Sequence, residues 1–228
     1  MTVVAILGMH RSGTSWLAGS LESMGLALGE VETSNPHNRR GNRENTKIQA
    51  LHAELFRAAG GSWRSPPARV NFGFEHVDAA REIAAEMATL GEPWGFKDPR
   101  TVFAIDLWRE AVPDLRLIGV FRHPISVAAS LAARGGSLAV SRSDALRMWR
   151  VYNERLLEEL LPTASPLLAF DSPIADLEAK LCQLAPEFGI AGSRPPAFSD
   201  TALVHHDPPG RVPWRLRRTW HDLNEHAY

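Results

Sequence analysis

The segment G-M-H-R-S-G-T-S, Gly8 to Ser15, has the residue types and the spacing to hold an anion. Glycines at and near its ends let the backbone curl until its N–H groups face inward. A helix starting directly behind the loop adds partial positive charge. The frame is that of a Walker A loop, G-x-x-x-x-G-K-[ST], and the context fits, with an apolar strand before it and a helical pattern after it. A plain strand-to-helix turn would account for the glycines but not for frame and context together. One position departs from the motif. Thr14 stands where the lysine belongs, and the nearest cation is Arg11, inside the loop. In nucleoside triphosphatases that lysine reaches the β- and γ-phosphates while the next Ser or Thr holds Mg²⁺. A loop of Arg11, Ser12, Gly13, Thr14 and Ser15, with Trp16 behind it, can still grip a 5′-phosphate group. It suits a nucleotide with a shorter 5′ tail and no metal.

A second group of the same kind follows a later apolar strand. Arg122 ends that strand, and Pro124 sits where a helix accepts its first residue. The helix carries Ser126 and Ser130, four residues apart and so on one face. Arg122 and the helix start can hold an anion, with Ser130 reaching it from one turn further on. An arginine ahead of a helix says little alone. Beside the first loop it says more, because two separated phosphate cradles suit a nucleotide phosphorylated at both its 5′ and 3′ positions.

Three stretches, GMHRSGTS at Gly8 to Ser15, GFKDPR at Gly95 to Arg100 and FRHPISVAAS at Phe121 to Ser130, resemble the sulfotransferases that use 3′-phosphoadenylyl sulfate (PAPS). The likeness is to bacterial members and to the tyrosylprotein sulfotransferases. The segment GNRENTKIQALHAELFRAAGGSW is also similar to bacterial members, so the resemblance spans most of residues 3–185. It implies that the first loop holds the 5′-phosphosulfate of PAPS, that Arg122 and Ser130 hold its 3′-phosphate, and that no metal takes part. Many cytosolic members have a lysine in the first loop where this chain has Arg11; the tyrosylprotein branch also has arginine there.

Sulfuryl transfer needs an acceptor O–H or N–H made nucleophilic, an in-line approach, and neutralisation of charge on the departing phosphate. The expected catalytic residues are Glu44, Lys97, Arg11 and His10. Lys97 matches the lysine that the family places near the sulfuryl bridge, which implies leaving-group stabilisation; an ion pair with Asp98 or another acid is the competing reading. Glu44 opens a helix on the same stripe as Ile48, Leu51 and Leu55, so it faces inward. Burial makes a carboxylate a better proton acceptor, and a glutamate near this point is the base in the tyrosylprotein branch. A first-turn glutamate favouring the helix dipole would look the same. His10 and His37 are the other candidates for the base. A kinase or nucleoside triphosphatase is a second reading, opposed by the missing lysine. A non-catalytic nucleotide-binding protein is a third.

The elements that must position these groups alternate along the chain. Apolar runs at Val3–Leu7, Trp94–Lys97, Leu115–Phe121 and Pro166–Phe170 read as strands. Helical spacing appears from Thr14 to Met24, around Ile48 to Ala59, and over Glu75–Leu90, Thr101–Ala111, Asp144–Leu161 and Ile174–Leu184. The expectation is a three-layer α/β fold of P-loop type, a central parallel sheet flanked by helices, with ligands at the carboxyl ends of its strands. Residues 1–190 form the nucleotide-binding domain. Residues 191–228 are a loosely structured tail packing on it or on a ligand. The irregular stretches Leu26–Asn42 and Ser62–Asn71, with that tail, are expected to line the acceptor pocket. Trp63 is a candidate for stacking on adenine or acceptor.

Bulk properties bound the rest. The 228 residues suit one domain with a short extension, and a net charge of −1 offers no general field for nucleic acid or a polyanion. A small molecule, a glycan or a lipid head group is the expected acceptor, and a homodimer stays open. Arg39, Arg40 and Arg43, and Arg211, Arg215, Arg217 and Arg218, form two clusters that also read as solvated surface. Cys182 is the single cysteine, so no intrachain disulfide or thiolate metal site arises. His205, His206 and Asp207 lack the spacing of metal ligands. The opening MTVVAILGMH has no basic stretch, and its apolar run stops at Gly8, too short for a signal peptide or a membrane span; a cytoplasmic location is expected.

Overall fold

The computed structural model describes residues 2–34, 41–191, 198 and 210–228. Four parallel strands, β1 (Val3–Leu7), β2 (Trp94–Lys97), β3 (Leu115–Phe121) and β4 (Leu167–Ala169), make one sheet in the order β2-β1-β3-β4. The register sets Ile6 beside Lys97 and Leu7 beside Gly119. All four carboxyl ends therefore lie along one edge of the sheet. The chain runs outward from β1 to β2 in one direction and from β3 to β4 in the other. The crevice of such a sheet opens where the order reverses, between β1 and β3.

Residues alternate across the sheet, and both faces are covered. Val3, Ala5 and Leu7 of β1 join one apolar cluster, and Val4 and Ile6 the other. Behind the first face lie α2 (Thr46–Ala58), α3 (Phe74–Ala88), α4 (Ile105–Ala111) and α6 (Arg142–Leu160). Behind the second lie α1 (Thr14–Met24) and α7 (Ile174–Leu184). This arrangement explains why the strands read as continuous apolar runs instead of alternating ones. The stripe Trp149, Tyr152, Leu156 and Leu160 of α6 is fully covered, and such side chains contribute roughly 1.5–3 kcal/mol each for the apolar part they bury. Gly119 interrupts β3 because α6 leaves no room there. A Cβ at that position would lie 2.3 Å from Leu160.

The boundaries depart from the sequence reading in three places. The helix expected from Thr101 starts as a 3₁₀ turn at Pro99–Phe103, capped by the Asp98 side chain, before α4 begins. The second helix starts after Asn45, whose side chain accepts from the N–H groups of Lys47 and Ile48. Its expected first residue, Glu44, therefore precedes the cap. Part of the supposedly loose tail is ordered as α8 (Arg217–Glu225), docked on α6. Leu223 is completely buried, and Trp220 meets Phe121, His123 and Trp149 at ring-centroid distances of 5.6, 4.9 and 6.3 Å. The Tyr228 N–H then donates to the Leu167 carbonyl at 2.8 Å. Among the described residues no helix is long and apolar enough to cross a membrane. α5 (Pro124–Ala132) completes the set of helices that surround the site.

Candidate functional site

The loop after β1 takes the shape its glycines permit. Gly8 has φ 151° and Gly13 φ 93°, and even Arg11 is left-handed at φ 67°. A Cβ on Gly8 would lie 2.4 Å from the Val120 carbonyl oxygen, so only glycine lets the loop pass so close to β3. Gly13 caps α1 without a side-chain acceptor, which leaves the first-turn N–H groups of that helix without the usual side-chain cap. Ser12 is fully buried and its hydroxyl has no partner among the described residues; Thr14 is 4% exposed. Ser15 donates to the Asn42 carbonyl at 3.1 Å and so ties the loop to the segment that carries Glu44. Trp16 packs inward, 5.8 Å from Phe170, among the core residues of the second face. It supports the loop from behind and is a core residue, not part of the cradle surface.

The two expected cradles meet. Arg11 donates from Nε to the Ser130 hydroxyl at 2.7 Å, joining residues 119 positions apart across the crevice between β1 and β3. Burial, with Arg134 and Arg122 nearby, lowers the Arg11 guanidinium to about 10, so it stays cationic at neutral pH. Arg122 lies over the Phe170 ring, 5.4 Å from its centroid, with Nε 3.4 Å from Asp171. The same carboxylate accepts the His123 N–H at 2.6 Å. The start of α5 is more closed than the sequence suggests. His123 caps it by accepting from the Ile125 N–H at 3.3 Å, and Pro124 has no N–H to offer. What faces the crevice here is Arg122 and Ser130.

Lys97 and Glu44, expected separately, form one buried ion pair, with Nζ 2.5 Å from Oε1. The Lys97 side chain is 2% exposed and that of Glu44 11%. Gln49, one turn into α2, donates to the other carboxylate oxygen of Glu44. The segment before α2 is pinned from two sides, by Ser15 to Asn42 and by the Arg43–Glu22 ion pair. Glu44 therefore faces inward because of these anchors and not because of a helical stripe. Of the competing readings for Lys97, Asp98 is not its partner. That carboxylate is 1% exposed and takes Arg100 in a two-pronged contact at 3.0 and 2.6 Å. Behind it, His52 Nδ1 lies 3.5 Å away, and Trp108 donates to His52 Nε2 at 2.8 Å. Burial alone would raise Asp98, but His52 and Arg100 outweigh it and hold the carboxyl far below its ordinary range.

His10 points to the other side of the loop, 5.1 Å from the Trp63 ring and 5.8 Å from Tyr152. Its Nε2 is buried without a hydrogen-bond partner among the described residues. Burial, reinforced by the nearby Arg134, pulls its pKa from 6.5 down to about 3. It is neutral at physiological pH and a weak proton acceptor. Trp63 is held in place by the Tyr152 hydroxyl, which donates to its carbonyl at 2.9 Å. Arg64 and Arg134 both lie over the indole, 4.9 and 5.8 Å from its centroid. His37, His205, His206, Asp207, Arg39 and Arg40 fall outside the described residues.

The sequence reading passed over Asp171, Arg100 and Arg134. Asp171 was visible only as the end of an apolar strand, a common pattern. Arg100 was quoted within GFKDPR without a role. Arg134 follows Ser130 by four residues, so the helical spacing that selected Ser126 and Ser130 also pointed to it. Among the described residues no group of three or more His, Cys, Asp or Glu is placed to hold a metal.

Comparison with known proteins agrees with this geometry. No curated protein sequence matches the chain. By structure it is similar to the sulfotransferase domain of the olefin synthase of Synechococcus PCC 7002, with TM-score 0.58 and 16% identity over 99% of this chain and 94% of that one. It is also similar to a sulfotransferase domain from the curacin biosynthetic pathway, with TM-score 0.50 and 14% identity over 84% and 75%. At such identities the likeness is one of fold. The family model that matches is the sulfotransferase family as a whole, without singling out its tyrosylprotein branch, and it covers residues 4–190. A parallel sheet with a glycine-bounded loop after β1, a buried lysine at the end of β2 and an Arg–Ser pair after β3 thus coincides with that match, and the chain belongs to the sulfotransferase family.

Proposed function

We propose that the protein transfers a sulfuryl group from PAPS to a hydroxyl or amine of a small-molecule, glycan or lipid acceptor, without a metal. The observation that carries this reading is the 2.7 Å contact between Arg11 and Ser130. It brings the two anion cradles onto one crevice, as a nucleotide with phosphate groups at both ends requires. The residues present fit such a ligand: an uncapped α1 N-terminus, an orphaned buried Ser12 hydroxyl, and a loop whose glycines leave no side chain in the way.

PAPS supplies an activated sulfuryl group on a 5′-phosphate that leaves as 3′-phosphoadenosine 5′-phosphate. Arg11, Ser12, Gly13, Thr14 and Ser15 hold the 5′ end, and Arg122 and Ser130 the 3′-phosphate, with Asp171 orienting Arg122. Lys97 meets the charge that grows on the departing phosphate oxygen. Glu44 takes the acceptor proton. The ion pair keeps both groups in place, and an anion that draws Lys97 toward it frees Glu44 to act as the base. Glu44 is preferred over His10, since burial has made that imidazole a poor proton acceptor.

The test follows 3′-phosphoadenosine 5′-phosphate released from PAPS by chromatography, in chelator, with a panel of phenolic, sugar and amine acceptors. Acceptor-dependent release by the wild type, lowered about 10²–10⁴-fold in Glu44→Gln with donor affinity kept, supports the assignment. Transfer only with Mg²⁺ and ATP would replace it with the kinase reading. Tight PAPS binding without transfer to any acceptor would favour the non-catalytic one.

A further inference from the structure

The proposed transfer leaves one arginine cluster without a task. Arg211, Arg215, Arg217 and Arg218 fall within eight residues around the start of α8. All four are exposed, Arg218 with 95% of its side chain. The helix spends its apolar face on the domain: Leu216, Thr219 and Leu223 are buried, and Trp220 packs on Phe121, His123 and Trp149. The arginines stay outside, and Trp214 stays with them. That indole is 72% exposed, and Arg215 lies over it, 5.1 Å from the ring centroid.

Nothing in the fold needs this charge. Arg218 is 4.0 Å from Asp222, and among the described residues the other three arginines have no carboxylate within ion-pair distance. Arg217 reaches only the Val212 carbonyl, at 3.5 Å. The acids nearby are engaged: Glu225 faces His221, and Glu154 of α6 takes Arg150 and the Thr219 hydroxyl. The first turn of α8 holds no acidic residue, and arginines there oppose both the backbone dipole and one another. What would stabilise them is negative charge from outside. A ring as exposed as Trp214 projects from the surface, and a projecting ring is received by a soft layer without a preformed pocket. A bilayer interface offers both things, diffuse negative charge for arginines and the interfacial layer in which tryptophan settles.

We infer that the outer face of α8 and the turn before it dock the protein on an anionic phospholipid bilayer, with Arg211, Arg215, Arg217 and Arg218 among the head groups and Trp214 in the interfacial layer. The association is peripheral, since the apolar face of α8 stays on α6. It goes beyond the transfer reaction and does not depend on which donor is bound.

The experiment sediments the full-length protein with vesicles of phosphatidylcholine alone, or with about 30% phosphatidylglycerol, over a range of salt. Binding to the anionic vesicles is expected to be at least about tenfold tighter than to the neutral ones and to weaken as salt rises. Each arginine near such a surface is worth about fivefold, so a variant with Arg215→Gln, Arg217→Gln and Arg218→Gln should lose about a hundredfold. Arg218→Gln alone, about fivefold weaker, gives the same reading if the triple variant fails to fold. Brominated acyl chains should quench the part of the fluorescence that Trp214→Phe removes. Equal binding to both kinds of vesicle, a triple variant that binds like the wild type, or an unquenched Trp214 overturns the inference. Tighter binding to soluble poly-glutamate than to the anionic vesicles overturns it in favour of an acidic protein partner. Titration with 3′-phosphoadenosine 5′-phosphate separates this result from the donor reading. A triple variant that loses bisphosphate affinity would assign these arginines to the donor and overturn the inference, whereas a wild type that binds vesicles but no bisphosphate would refute the donor reading alone.

Discussion

Lowering the pH from 7.5 to 5.0 should cost this fold stability through His10 in particular. The imidazole is lowered to about 3 in the folded chain by burial and by Arg134, against 6.5 in the unfolded chain. Above 6.5 both states carry a neutral ring and nothing is lost. Between 6.5 and 3 the unfolded chain takes a proton that the folded chain refuses, so stability falls as pH falls, by up to about 1.4 kcal/mol per pH unit. At pH 5.0 the full loss is about 2 kcal/mol. His10 is partly exposed, and solvent reduces this to about 1–2 kcal/mol. The assay is urea unfolding of wild type and His10→Asn at both pH values. Groups common to the two proteins cancel in the comparison. With a slope of about 2 kcal/mol per molar urea, the midpoint of the wild type should drop by about 0.5–1 M more than that of the variant. Equal drops, or a larger one in the variant, would show that His10 is not held neutral. That result would reopen it as the base in place of Glu44.

Three further outcomes follow from contacts described above. Gly8→Ala must move β3 or distort the loop, since its Cβ would press on the Val120 carbonyl at a left-handed φ; we expect bisphosphate affinity to fall at least about tenfold, read by calorimetry, with a loss of several kcal/mol excluded only if the loop rearranges. Asp98→Asn leaves Arg100 without its buried carboxylate and should destabilise by about 3–5 kcal/mol in urea unfolding; a change under about 1 kcal/mol would mean that the Trp108–His52–Asp98–Arg100 chain is not a structural unit. Trp220→Ala should cost about 3 kcal/mol and make α8 the first segment cut in limited proteolysis, because it removes the ring that packs on Phe121, His123 and Trp149.

The sheet and the first-loop motif could be read from the sequence because each depends on short-range order. Val3–Leu7 is a buried parallel strand whatever surrounds it, and the glycine spacing from Gly8 to Gly13 makes sense only for one backbone shape. Arg122 was legible as the end of an apolar strand and Ser130 by its helical spacing from Ser126, while Lys97 was singled out only by the resemblance that GFKDPR carries. Glu44 was read as inward-facing, correctly, but through a helix that begins two residues later. Its orientation comes from Ser15 and Glu22, neighbours about 20–30 positions earlier whose contacts no local pattern encodes. The ion pair between Glu44 and Lys97 joins residues 53 apart and depends on the sheet order. α8 had a legible stripe, Leu216, Thr219, Trp220 and Leu223, at helical spacing. It was obscured by the arginines and prolines around it, whose composition suggested a loose tail. The Trp16 side chain lies in the core of the second face, which its place in the loop motif did not indicate.

The account stands most directly on the identity of the donor, and calorimetry tests it. Wild type and Arg122→Ala are titrated with 3′-phosphoadenosine 5′-phosphate in chelator, and with ATP and Mg²⁺ in parallel. The account predicts that the wild type binds the bisphosphate without metal and more tightly than ATP, and that Arg122→Ala loses about tenfold or more of that affinity. Tighter binding of ATP with Mg²⁺, or bisphosphate binding that does not depend on Arg122, would contradict it.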